Sequence, residues 1–103
     1  MYNLPPEEWQ KHLEDDNTVI LDVRTPQEHE QEVIPNSVLL NIQESESFIK
    51  EVQKFDKDKK YMVYCHAGGR SAVACKLMQQ FGFNDVYNLD GGITEWKDHY
   101  ETQ

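Results

Sequence analysis

Cysteine is scarce in this chain: there are two, Cys65 and Cys75, ten positions apart. That excludes a disulfide framework, forms no Cys-x-x-Cys pair and makes a poor zinc site. In a reducing compartment they are two separate thiols with separate jobs. Basic residues are scarce too, 10 lysines and arginines against 19 aspartates and glutamates, which leaves a formal net charge of −9. Binding nucleic acid takes a basic face, so such a partner is disfavoured, and acidic membrane surfaces with it. An anionic substrate would have to meet its positive field locally. No apolar run approaches the roughly 18–20 residues that cross a bilayer. The opening MYNLPPEEWQ has neither a basic n-region nor an apolar h-region, so no signal peptide is expected and the expected compartment is the cytosol. Repeats, low-complexity tracts and long linkers are also missing. With 103 residues, the expectation is a single domain over 1–103, and nothing demands more than a monomer.

What is present is globular in kind, at 38% hydrophobic and 28% charged residues. Short apolar runs alternate with amphipathic segments. TVILDV (18–23), SVLLNI (37–42) and KYMVYC (60–65) have the β-branched or nearly continuous apolar character of strands buried on both faces, and DVYNL (85–89) is a weaker fourth. Helical patterns lie between them, at 5–15, 25–31, 46–55, 70–83 and 93–100. The second opens Thr25-Pro26, with Glu28 three residues after the threonine, which predicts a capping box with proline at the first helical position. Gly82 is the expected stop of the fourth. Strands alternating with helices predict an α/β fold, a mostly parallel central sheet with helices on both faces. Ligands of such sheets sit beyond the carboxyl ends of the strands.

Cys65 falls at one of those ends. The stretch YCHAGGRSA (64–72) places His66, Ala67, Gly68, Gly69 and Arg70 between the cysteine and a helix starting near Ser71. Two glycines permit positive φ and leave successive N–H groups free to point inward as an anion-binding nest. The helix adds its unpaired N–H groups and the positive end of its dipole. Arg70 adds a fixed charge, and Ser71 can cap the helix or bond into the loop. A thiol in this cradle is expected to be acidified and nucleophilic, beside its own anion hole. The alternative reading of a lone cysteine, a small core residue at a strand end, does not account for the glycines and the arginine in order.

These residues resemble the single-domain rhodanese family of sulfurtransferases. CHAGGRS (65–71) fits the family's Cys-x-x-Gly-x-Arg-Ser pattern. LDVRTPQEHEQEVIPNSVLLNI (21–42) is similar to its Asp-x-Arg strand end, Glu-containing helix and Ile-Pro turn, and GFNDVYNLDGGITEWK (82–97) to its C-terminal Gly-Gly-Ile and Trp segment. EVIPNS (32–37) departs from the family's Gly-His-Ile-Pro-Gly-Ala. Asn36 in that turn tolerates left-handed backbone.

The resemblance implies a rhodanese-like fold and a Cys65 persulfide, formed from a sulfane donor such as thiosulfate and discharged to cyanide or a thiol. It implies that the amides of residues 66–71 hold the outer sulfur and that Arg70 binds the donor's anionic oxygens. Neither metal nor organic cofactor is implied. Two other functions compete. Cysteine-dependent phosphatases and arsenate reductases have five residues between Cys and Arg, where this loop has four. A persulfide carrier or binding module docked to a protein donor or acceptor would use the same loop. Weak saturation by thiosulfate would favour it.

The remaining residues are expected to be structural. Asp22 and Arg24 suit an ion pair at a strand end. Cys75, ten residues beyond Cys65, which is nearly three turns or about 15 Å of rise along a regular helix, suits packing. Trp9 and Trp96 suit core or cover positions; Gly91-Gly92 could shape the rim near the active loop, but a turn is enough to explain them. His12, His29 and His99 have no metal-site spacing.

Overall fold

The computed structural model describes residues 2–100. Five strands form one sheet: β1 (Tyr2–Leu4), β2 (Thr18–Asp22), β3 (Val38–Leu39), β4 (Lys60–Tyr64) and β5 (Val86–Leu89). Their order is β1-β5-β4-β2-β3, and every adjacent pair is parallel. The helices are α1 (Pro6–Lys11), α2 (Pro26–Gln31), α3 (Ser45–Val52), α4 (Gly69–Gln80) and α5 (Gly92–Tyr100), with a 3₁₀ turn at His12–Glu14. No described helix is long and apolar enough to cross a membrane.

The period-2 alternation of β4 divides the interior. Tyr61, Val63 and then Cys65 join a core with Phe48 and Val52 of α3 and Ala74, Cys75 and Met78 of α4. Met62 and Tyr64 join a second core with Trp9 of α1 and Ile93 and Trp96 of α5. Both faces of the sheet are thus covered by helices, and both tryptophans are buried.

Three sequence expectations shift. β1 was not foreseen. It has three residues and lies at the sheet edge against β5, too short to show a period. The strand expected at 37–42 shortens to Val38–Leu39, although Leu40 and Ile42 still donate N–H bonds to the Asp22 and Val23 carbonyls. The helix expected near Ser71 begins at Gly69, because Gly68 at φ 103° turns the chain into it. The helix ends as anticipated at Gly82, φ 97°, where the Gly82 and Phe83 amides bond to the Gln79 and Met78 carbonyls in a Schellman arrangement.

The EVIPNS turn also holds. Asn36 takes φ 71°. The buried Tyr64 hydroxyl accepts the Ile34 N–H at 3.2 Å and meets Ser37 Oγ at 2.8 Å. Burial pushes the Tyr64 hydroxyl up to about 12, so it stays a neutral donor.

Candidate active site

Cys65 is the first residue past β4, and only 1% of it is exposed. Its Sγ accepts the Gly68 N–H at 3.1 Å and faces the Ser71 hydroxyl at 3.3 Å. That hydroxyl also lies 3.2 Å from the Gly68 carbonyl. One hydrogen cannot serve both acceptors, and ionisation of the thiol favours the sulfur. Burial by itself raises the thiol's pKa. The Ser71 hydroxyl and the amides of Ser71, Gly68 and Ala67 outweigh it and hold Cys65 below its ordinary value. Cys75 is buried with no such donors, and burial pushes it up to about 12. Iodoacetamide is therefore expected to alkylate Cys65 with a pH midpoint below about 8.5 and to spare Cys75 until the protein unfolds. Peptide mapping across a pH series checks this.

The loop is held from behind by α5. Ile93 and Thr94 donate N–H bonds to the Cys65 and His66 carbonyls at 3.0 and 3.3 Å, and Thr94 Oγ1 donates to His66 O at 3.1 Å. With their carbonyls turned to α5, the loop's peptide units turn N–H groups toward the sulfur. Gly92, at φ 65°, makes this approach possible, since a Cβ there would lie 2.2 Å from the His66 carbonyl oxygen. Buried Asn88 at the end of β5 adds an Nδ2–H bond to the Gly68 carbonyl at 3.2 Å. Sequence reasoning weighed Gly91-Gly92 as a rim near the loop but settled on a turn, and it missed Thr94 and Asn88 as loop supports.

The loop residues divide by exposure. His66, Ala67 and Gly69 are exposed, Gly68 and Arg70 half-buried, and Ser71 buried. Arg70 does not lie free. Its Nη1 and Nη2 donate to Glu28 Oε1 and Oε2 at 2.7 and 2.8 Å. Glu28 is the residue predicted to close the capping box of α2, and it does so: its amide donates to Thr25 Oγ1 while its Oε1 accepts from the Thr25 amide. The Arg70 guanidinium, followed by the cap, pulls the Glu28 carboxyl down to about 2. Arg24, Glu28, Glu32, His66 and Arg70 border a 250 Å³ pocket. On its other side Arg70 borders an apolar groove of 280 Å³ with Ile42, Phe48, Ile49, Val73 and Leu77.

Asp22 and Arg24 form the expected ion pair, at 0% and 1% exposure. Arg24 Nε and Nη2 donate to the two Asp22 oxygens at 2.8 Å each, and Nη2 also reaches the Glu32 carbonyl at 2.7 Å. Burial alone would raise the Asp22 carboxyl. The bonds from Arg24 and from His29 overcome it and hold Asp22 below the usual carboxylate range. An ionised Asp22 only accepts, so His29 Nδ1, at 2.9 Å, carries the proton between them.

A parallel sheet with a cysteine just past its central strand, cradled by loop amides at a helix start, defines an enzyme class built on a nucleophilic thiol. The model of the rhodanese-like domain family matches residues 5–99, and the chain belongs to that family. It is 39% identical over 97 residues to the thiosulfate sulfurtransferase GlpE of Pseudomonas syringae pv. syringae, covering 94% of this chain and 88% of that one. It is 35% identical over 103 residues to a tRNA uridine(34) hydroxylase of Onion yellows phytoplasma, covering 97% of this chain but 33% of that protein. The chain thus spans about a third of the length of that hydroxylase. Among solved structures, a rhodanese-related protein from Thermoplasma volcanium superposes with a TM-score of 0.81 at 31% identity, over 97% of this chain and 94% of that one. The activity is that of a rhodanese-type sulfurtransferase or a related enzyme.

Proposed function

We propose that the protein is a sulfurtransferase working by double displacement through Cys65. The Cys65 thiolate attacks the outer sulfur of a sulfane donor such as thiosulfate. The donor's S–S bond breaks and sulfite leaves with the electron pair. Cyanide or a thiolate then attacks the outer sulfur of the persulfide, and the Cys65 thiolate departs. Residues 66–71 supply the amides and hydroxyl that stabilise the anionic sulfur. The reading rests on one observation: a buried sulfur that accepts an amide at 3.1 Å and faces a hydroxyl at 3.3 Å. No metal or organic cofactor enters these steps. Two unbridged cysteines suit a reducing compartment, and we place the protein in the cytosol as a monomer. A protein persulfide would be handled by the same chemistry.

Intact mass after incubation with excess thiosulfate tests the reading. A gain of one sulfur, about 32 Da, is expected for the native protein, removable by cyanide and absent from Cys65→Ser. No gain, with Cys65 still open to alkylation, would overturn thiosulfate as a donor.

A further inference from the structure

We infer that Glu28 sets donor specificity, selecting organic sulfane donors with at most one negative charge over dianions such as thiosulfate. The inference rests on the sulfur-transfer reading and says which donors that site prefers. The loop's one arginine presents both terminal nitrogens to Glu28, so its end-on fork is occupied and only the Nε edge is left to meet an oxyanion. Three of the guanidinium's five N–H groups remain, but its charge is compensated.

Nor is Glu28 a passing partner. Its Oε1 is anchored by the Thr25 amide at 3.2 Å and hydroxyl at 3.1 Å, so the carboxylate is fixed by the start of α2. Its depressed pKa, about 2, keeps it ionised at every physiological pH. Glu32 borders the same pocket and brings no positive charge, and its own partner is Lys97. Arg24, the other cation there, is taken by Asp22. An incoming dianion therefore finds loop amides, two compensated guanidiniums and a fixed carboxylate. On the far side of Arg70, the groove of Ile42, Phe48, Ile49, Val73 and Leu77 offers apolar surface to an organic body. An alkanethiosulfonate has the matching chemistry, a single negative charge and an apolar chain. The Cys65 thiolate attacks its outer sulfur, the S–S bond breaks, and the sulfinate leaves with the electron pair, leaving the same persulfide as thiosulfate does.

The test compares half-saturating concentrations for Cys65 persulfide formation with two donors, thiosulfate and a butanethiosulfonate monoanion. Wild type is expected to saturate with the monoanion at lower concentration. Glu28→Gln keeps the capping acceptor, since glutamine also serves at that position, and removes the charge. It should lower the thiosulfate value by on the order of tenfold and the monoanion value by less, so that the ratio narrows. Glu28→Ala, a second variant for the case in which glutamine perturbs folding, should narrow it in the same direction. A ratio unchanged in both variants, or a thiosulfate value that rises in them, overturns the inference while leaving sulfur transfer standing. Failure of wild type to take sulfur from either donor overturns both.

Discussion

Gly92→Ala is expected to cost the protein its active loop and much of its stability, while Gly69→Ala costs nothing. At Gly92 the backbone has φ 65°, where an L side chain is disfavoured by roughly 1–2 kcal/mol. The added Cβ would also lie 2.2 Å from the His66 carbonyl oxygen and 2.6 Å from the Ala67 nitrogen. Both are backbone atoms that cannot rotate away. Relief requires α5 to back off from the loop, which breaks the bonds from Ile93 and Thr94 to the Cys65 and His66 carbonyls. The combined loss should exceed about 3 kcal/mol, a large part of the roughly 5–15 kcal/mol that holds a domain folded. At about 4–8 °C per kcal/mol, melting should fall by more than about 10 °C, with sulfur uptake lost even below the melt. Gly69 has no heavy atom within 4 Å of its Cβ position and starts a helix that alanine favours, so its variant should melt at or slightly above wild type. Equal melting of the two variants would contradict this account of α5 as the loop's support.

Asp22→Ala should be nearly as damaging, for an electrostatic reason. Arg24 is 1% exposed, and two of its nitrogens are satisfied by Asp22. Removing the carboxylate strands a buried cation, which costs about 3–5 kcal/mol, and leaves His29 without its acceptor. The pH dependence has a definite sign. Asp22 has a lower pKa folded than unfolded. Its stabilisation is therefore present above the ordinary carboxylate value near 4 and is lost as pH falls through the folded value. Glu28 behaves likewise between its ordinary 4.5 and about 2. Urea titrations at pH 7 and at pH 3 should show the gap between wild type and Asp22→Ala narrowing in acid. A gap that stays constant would mean that Asp22 acts by packing alone.

Local chemistry made parts of this structure legible from residues alone. Thr25, Pro26 and Glu28 announce a capped helix because all three act within one turn, and the cap is present. Cys65, two glycines and a helix start announce an anion cradle for the same reason. The partners that complete the site come from elsewhere in the chain. Glu28 bonds Arg70 across 42 positions, and nothing in TPQEHEQ shows that its carboxylate has a second task. Gly68 and Gly69 are adjacent and identical in sequence, yet one has φ 103° and packs against the Gly91 amide while the other faces open space. The edge strand β1 is stabilised by pairing with β5, a contact between the two ends of the described chain that no short-range pattern carries.

The tie between the loop's carbonyls and α5 bears on how the site responds to its surroundings. The groups that hydrogen-bond the sulfur are an amide and a hydroxyl, not a formal charge. Mobile ions screen charges separated by a Debye length, about 8 Å at physiological strength, but they cannot enter a 3.1 Å contact between an amide and the sulfur. Donor approach to a protein of net charge −9 should therefore vary with salt, whereas the acidity of Cys65 should vary much less. The reactivity of the thiol belongs mainly to the fold, and the medium governs chiefly the rate of encounter.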